Sequence, residues 1–124
     1  MATAQEIGTT LVTLCQAGKA EDAVTQLYAP NIVSIEGPGS DPSMARMEGL
    51  AAIQQKNAWW FANHDVHAMT ATGPYVGHRD DQFLVRFAID MTPTGGQRRQ
   101  MDEVGLYTVK NGTIVQEEFM YLMG

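Results

Sequence analysis

One cysteine in 124 residues excludes an internal disulfide, and no Cys/His spacing along the chain suits a structural zinc. Basic residues are also scarce. Eight Lys plus Arg stand against fourteen Asp plus Glu, a net charge of −6, with a pI near 4.8. A nucleic-acid binder needs a basic face to neutralise phosphates, so that class is excluded, and anionic membrane surfaces are disfavoured for the same reason. No apolar run approaches the roughly 18 residues of a membrane span. The first residues, MATAQEIGTTLVTL, carry Glu6 and no basic segment, unlike an export signal. The absences together imply a cytoplasmic protein with no nucleic-acid or membrane partner. Repeats, linkers and low-complexity stretches are missing as well, so the chain reads as one domain over residues 1–124.

What is present is an ordinary globular balance, 44% hydrophobic and 18% charged, enough for a core and a pocket. Helices come first. Thr3 and Glu6 form a capping box, and Ile7, Leu11, Leu14 and Cys15 follow at helical spacing until Gly18. A short second helix carries Ala20, Val24 and Leu27 on one face and is expected to stop at Pro30. Residues 31–36 read as a strand, and GPGSDPSMARM reads as a loop without regular structure. A third helix is expected over 48–62, with Leu50, Ile53, Asn57, Trp60, Phe61 and His64 on its stripe and Asn57 the polar intruder.

The remainder reads as β. A strand over 66–72 ends at Gly73-Pro74. In 82–92, Phe83, Val85, Phe87, Ile89 and Met91 share one face, with Leu84, Arg86, Ala88 and Asp90 on the other. A long strand over 97–109 leads to Asn111-Gly112, the strongest hairpin signal in the chain, and residues 113–123 return from it. Three helices and a mostly antiparallel sheet make an α+β fold, and strands of this length curl enough to leave a conical cavity under the helices.

Several stretches resemble a known family when taken in order: LYAPNIVSIEGPGSDP, EGLAAI, TGPYV, LVRFAIDM and YTVKNGTIVQEEFMY. Each alone is weak. Together they cover nearly the whole chain, which resembles the SnoaL-like and ketosteroid isomerase-like branch of the nuclear transport factor 2-like superfamily. The resemblance implies a cone-shaped, cystatin-like curved sheet with three helices closing an internal pocket. Ketosteroid isomerases use an aspartate base, with a tyrosine and a protonated aspartate as oxyanion donors. An ungapped overlay puts Glu36 at the base. The tyrosine position falls near Leu11 or Val12, and the oxyanion aspartate at Val104 or Gly105, with Asp102 and Glu103 adjacent but out of register. The base is therefore present without the two standard donors, which argues against steroid isomerisation itself.

Polar residues on inward faces mark the candidate site. Glu36, Glu117 and Tyr121 are the candidate catalytic groups; Asn57, Trp60, His67, Phe87, Ile89, Met91, Glu103 and Phe119 are the candidate ligand contacts. The family orientation turns Phe87, Ile89 and Met91 toward the cavity, and likewise Glu117, Phe119 and Tyr121, leaving Glu118, Met120 and Leu122 outside. Across the hairpin from Glu117 would lie Glu103 or Tyr107. Glu117 could instead pair with Arg86, Arg98 or Arg99 at a rim. His64 and His67 flank Asp65, but their position at a helix-to-strand passage gives no secure ligand geometry, and no metal site is assigned. Met69, Met91 and Met101 could fill the pocket. An outer sheet face carrying Val104, Leu106, Met120 and Leu122 is too apolar for free solvation and implies a homodimer.

The leading reading is a small-molecule protein with an apolar pocket for a hydrophobic or aromatic compound. Its chemistry would be cofactor-free proton transfer (isomerisation, cyclisation or dehydration) with Glu36 as base and Tyr121, Asn57 or a histidine as donor. The alternative is a non-catalytic ligand-binding or dimerisation module. An epoxide hydrolase of the limonene type needs an inward arginine, and Arg86 falls on the outer face.

Overall fold

A computed structural model describes residues 1–38 and 41–122. Helix α1 (Ala4–Gln16) opens with the expected capping box, Thr3 and Glu6 each accepting from the other's backbone N–H. Helix α2 is Ala20–Leu27. It ends before Pro30, which lies inside strand β1 (Tyr28–Ile35) rather than terminating a helix. The presumed irregular loop contains a short strand, β2 (Arg46–Glu48), antiparallel to β1. Glu48 belongs to that strand, so helix α3 starts later than expected and spans Leu50–Asn63. Strand β3 (His64–Tyr75) follows at once and continues through Gly73 and Pro74. Strands β4 (Gln82–Pro93), β5 (Arg99–Lys110) and β6 (Thr113–Tyr121) complete the chain. Residue 123, the expected end of the last strand, lies outside the described residues.

The six strands form one sheet in the order β2-β1-β6-β5-β4-β3. All neighbours are antiparallel except β1 and β6, which run parallel. The β5–β6 turn is the expected hairpin: Asn111 and Gly112 both sit at positive φ, 54° and 76°, the pair of left-handed residues that a two-residue turn requires. The β4 alternation holds, with Phe83, Val85, Phe87, Ile89 and Met91 all buried and Arg86 exposed. Helix α1 covers the β3–β4 half of the sheet, and its Ile7, Leu11, Val12 and Cys15 join those side chains in the core. Helix α3 leans on β1 and the start of β3. No described helix is long and apolar enough to cross a membrane.

Replacing Gly112 by valine should destabilise the protein by about 1–2 kcal/mol, the usual cost of a left-handed L-residue. Urea unfolding reads this directly; an unchanged midpoint would mean the turn tolerates a β-branched residue there.

Candidate functional site

Helix α3 turns Ile53, Lys56 and Trp60 to the sheet at i, i+3 and i+7. Ile53 is fully buried and Lys56 only 9% exposed, whereas Phe61, expected on the stripe, is 40% exposed. The inward face is therefore rotated from the expected one, and a lysine sits at its centre. Lys56 Nζ donates to Glu36 Oε1 at 2.9 Å and to Ser34 Oγ at 2.8 Å, and lies 3.8 Å from Glu117 Oε1. It also stands 5.5 Å from the Phe119 ring centroid, a favourable cation–π placement.

The parallel pairing of β1 with β6 sets Ser34 beside Glu117. Glu117 is almost fully buried and accepts a short hydrogen bond from the Tyr28 hydroxyl. Directly across the β5–β6 ladder from it lies Tyr107, and four pairs further on Glu103 faces Tyr121. Glu36 follows the last residue of β1, its N–H donating to Ala45 O at 2.9 Å. Its second carboxylate oxygen, Oε2, accepts from the Tyr121 hydroxyl at 2.5 Å. Tyr121 packs edgewise over Gly37, where a Cβ would meet two ring carbons at 2.6 and 2.7 Å. Any side chain at position 37 would displace the tyrosine that holds Glu36.

Beside this cluster lies a cleft of about 530 Å³ whose wall includes Glu36, Met44, Lys56, Trp59, Trp60, His64, Arg99, Met101, Asp102 and Tyr121. A recess of about 130 Å³ shares Glu36, Lys56, Trp60, Met101 and Tyr121 with it and adds Asn57, Glu103 and Phe119. His64 stacks on Trp60, centroids 4.3 Å apart, and its Nδ1 donates to the Trp60 carbonyl at 2.7 Å.

The carboxyl groups differ in their hold on a proton. Burial first, and the neighbouring Glu36 and Glu117 charges, push Glu103 up to about 7, while Lys56 opposes the rise. Burial likewise raises Glu117, against Lys56 and the hydroxyls of Tyr28 and Ser34. Burial and the Glu36 contact raise the Tyr121 hydroxyl, so it remains a donor. Cys15 is no nucleophile at neutral pH: burial pushes its thiol up to about 11.

Of the residues singled out from the sequence, Glu36, Asn57, Trp60, Glu103, Phe119 and Tyr121 converge on the recess. Glu117 joins the same cluster but lines neither cavity. It pairs with none of the arginines: Arg86 binds Asp102 and Arg98 binds Asp90, both at exposed positions. Phe87, Ile89 and Met91 do face inward, but into the packed core beside α1 rather than into the cleft. His67 points away to solvent, its Nε2 2.8 Å from Thr92 Oγ1. Met101 lines both cavities, whereas Met91 and Met69 belong to the core. Among the described residues no three His, Cys, Asp or Glu are grouped to hold a metal ion. Sequence reasoning missed Lys56. Its signal was available in the helical spacing, since position 56 shares the stripe of Ile53 and Trp60.

A model of the SnoaL-like domain matches residues 2–121. A proposed SnoaL-like polyketide cyclase from Mesorhizobium loti is 44% identical over 94% of this chain and 97% of its own, with a TM-score of 0.86. A Xanthomonas campestris protein of unknown function with a cystatin-like fold is 13% identical, covering 98% of this chain and 92% of its own, with a TM-score of 0.78. A computationally designed 17-OHP binder is 18% identical, covering 98% and 95%, with a TM-score of 0.66. No curated protein matches the sequence.

The raised carboxyls give a pH-dependent stability. Glu103 binds its proton more tightly in the folded chain than unfolded, so its contribution is full below about pH 4.5 and is lost as pH rises to about 7. Glu117 acts in the same sense. The surface aspartates held low by arginines titrate below this window. Urea unfolding should therefore show stability falling across that window, and Glu103→Gln should flatten the fall. A profile rising with pH, or one untouched by the substitution, would contradict the burial of this group.

Proposed function

The chain belongs to the SnoaL-like family, and on that premise we propose that it binds a hydrophobic or aromatic carbonyl compound in the cleft and moves a proton on it without a cofactor. The observation that carries this reading is the pair of carboxyls on one recess in unlike states. Glu36 is ion-paired with Lys56, whereas Glu103 keeps its proton up to about pH 7. Two carboxyls whose surroundings push them apart are how one site supplies a base and an acid together.

Glu36 takes a proton from the carbon beside the carbonyl. Glu103, protonated, donates to the carbonyl oxygen as negative charge develops there, supplying the donor that the overlay at Val104 or Gly105 lacked. Asn57 orients the ligand, and Trp60 and Phe119 give it apolar walls. Returning the proton to a different carbon is isomerisation; attack of the carbanion on a second carbonyl is cyclisation; loss of a β-hydroxyl is dehydration. The designed 17-OHP binder supports a small-molecule site within this fold.

Glu36→Gln should lower kcat by about 100-fold or more, within the usual range for a general base, while the protein stays folded by circular dichroism. Enolisable aryl ketones, screened by tryptophan fluorescence and then by solvent deuterium exchange, are suitable probes. Unchanged exchange in Glu36→Gln would remove the assignment. Binding without exchange in the wild type would leave the non-catalytic binding module.

The homodimer belongs to the same proposal. Met120 and Leu122 are exposed on the outer face, beside the half-buried Val104 and Leu106 on β5. Sedimentation velocity at micromolar concentration should give a dimer, and Met120→Glu with Leu122→Glu should give a folded monomer. A wild-type monomer would exclude the dimer.

A further inference from the structure

We propose that Lys56 is a positioning residue: its ammonium, held between Glu36, Ser34 and Glu117, keeps Glu36 in the ionised form a base needs and leaves the cluster's proton to Glu103. The inference rests on the acid–base reading above and adds what enforces it.

The geometry is that of a fixed charge. An ammonium has three hydrogens, and three oxygens surround this one at 2.9, 2.8 and 3.8 Å. The side chain is 9% exposed, so water offers little competition. Both oxygens of Glu36 are then held by donors, Lys56 on one and Tyr121 on the other, and donors to a carboxylate favour its charged form. Glu117 has Tyr28 and Lys56. Among the described residues no hydrogen bond or ion pair reaches the Glu103 carboxyl. Three carboxyls around one cation cannot all ionise at neutral pH, and the one without a donor keeps the proton.

The groups facing this cluster come from every element packed there. They are Lys56 on α3, Tyr28 on β1 with Glu36 just beyond it, Glu103 and Tyr107 on β5, Glu117 and Tyr121 on β6, and Cys15 on α1. Lys56 is the one cation among these, and His64, Arg99 and Asp102 line the adjoining cleft that Glu36 and Tyr121 share.

Carboxyl titration by carbon-13 NMR tests this without any substrate, in the wild type, Lys56→Met and Lys56→Arg. Removing the cation should raise the Glu36 midpoint by at least about one pH unit, tenfold in proton affinity, and arginine should bring it back. Should Lys56→Met fail to fold, Lys56→Met/Glu117→Gln removes one buried carboxyl with the cation, and its Glu36 midpoint is compared with that of Glu117→Gln alone. A midpoint within a few tenths of a unit of its reference in a folded variant lacking the cation would overturn the proposal. A shifted midpoint in a protein that exchanges no carbonyl compound would leave Lys56 in this role and remove the enzymatic reading. Exchange with an unshifted midpoint would do the reverse.

Discussion

One buried ammonium must answer for three carboxyl groups. At an effective dielectric near 20, two unit charges about 4 Å apart interact by about 4 kcal/mol, so the charges around Lys56 are strongly coupled to one another. Removing one partner from a buried pair costs about 3–5 kcal/mol, because the other is stranded. The fold therefore has to bring several distant segments to one point: α3 for the lysine, the end of β1 for Glu36, β5 for Glu103 and β6 for Glu117 and Tyr121. The parallel β1–β6 pairing does most of this. It places Ser34 against Glu117 and lets the chain leave β1 at Glu36 beside the end of β6.

Much of this site was legible because strands alternate. Once Glu117 faces inward, Phe119 and Tyr121 must follow, and opposite them Glu103 and Tyr107 do too. The hairpin at Asn111-Gly112 starts that ladder, and a one-residue shift between Thr108 and Val109 sets the register in which Glu117 meets Tyr107 and Tyr121 meets Glu103. Alternation gives a face, however, and not a depth. Phe87, Ile89 and Met91 took the inward face as expected but met α1 and became core, because which helix covers which half of the sheet is a tertiary fact. His67 failed for a related reason. It stands on β3, where its ring turned outward to Thr92.

Lys56 was hidden by a prior that is usually sound: lysines are almost never buried unless paired. Its partners lie 20 residues and 61 residues away in sequence, so nothing local announces them. Asn57, next to it, drew the attention that the stripe also offered to position 56. Strand β2 was hidden by its neighbours. Glycine and proline in GPGSDPSMARM describe the first part of that stretch well, yet its last residues need only one edge of β1 to pair with. Helix α3 began late for the same reason, since Glu48 was already engaged in that strand.

The residue-by-residue overlay on ketosteroid isomerases put the missing acid at Val104 or Gly105, one or two places from where a carboxyl faces the recess. On a strand, one place is the difference between the two faces. Val104 belongs to the outer face by that alternation, and Gly105, though inward, has no side chain and leaves its space to the Tyr107 ring. Glu103 is the inward position on β5 that reaches the recess with a carboxyl. Its longer side chain can offer a proton from two positions further along the strand. The proposed base has the same character, glutamate where the ketosteroid isomerases have aspartate. The acid and base proposed above each carry one more methylene than an aspartate and so reach farther from their strands. The cleft extends to Met44, Trp59 and Arg99, beyond the recess that holds Glu103. On that proposal the same chemical pair stands in this fold with a different substrate.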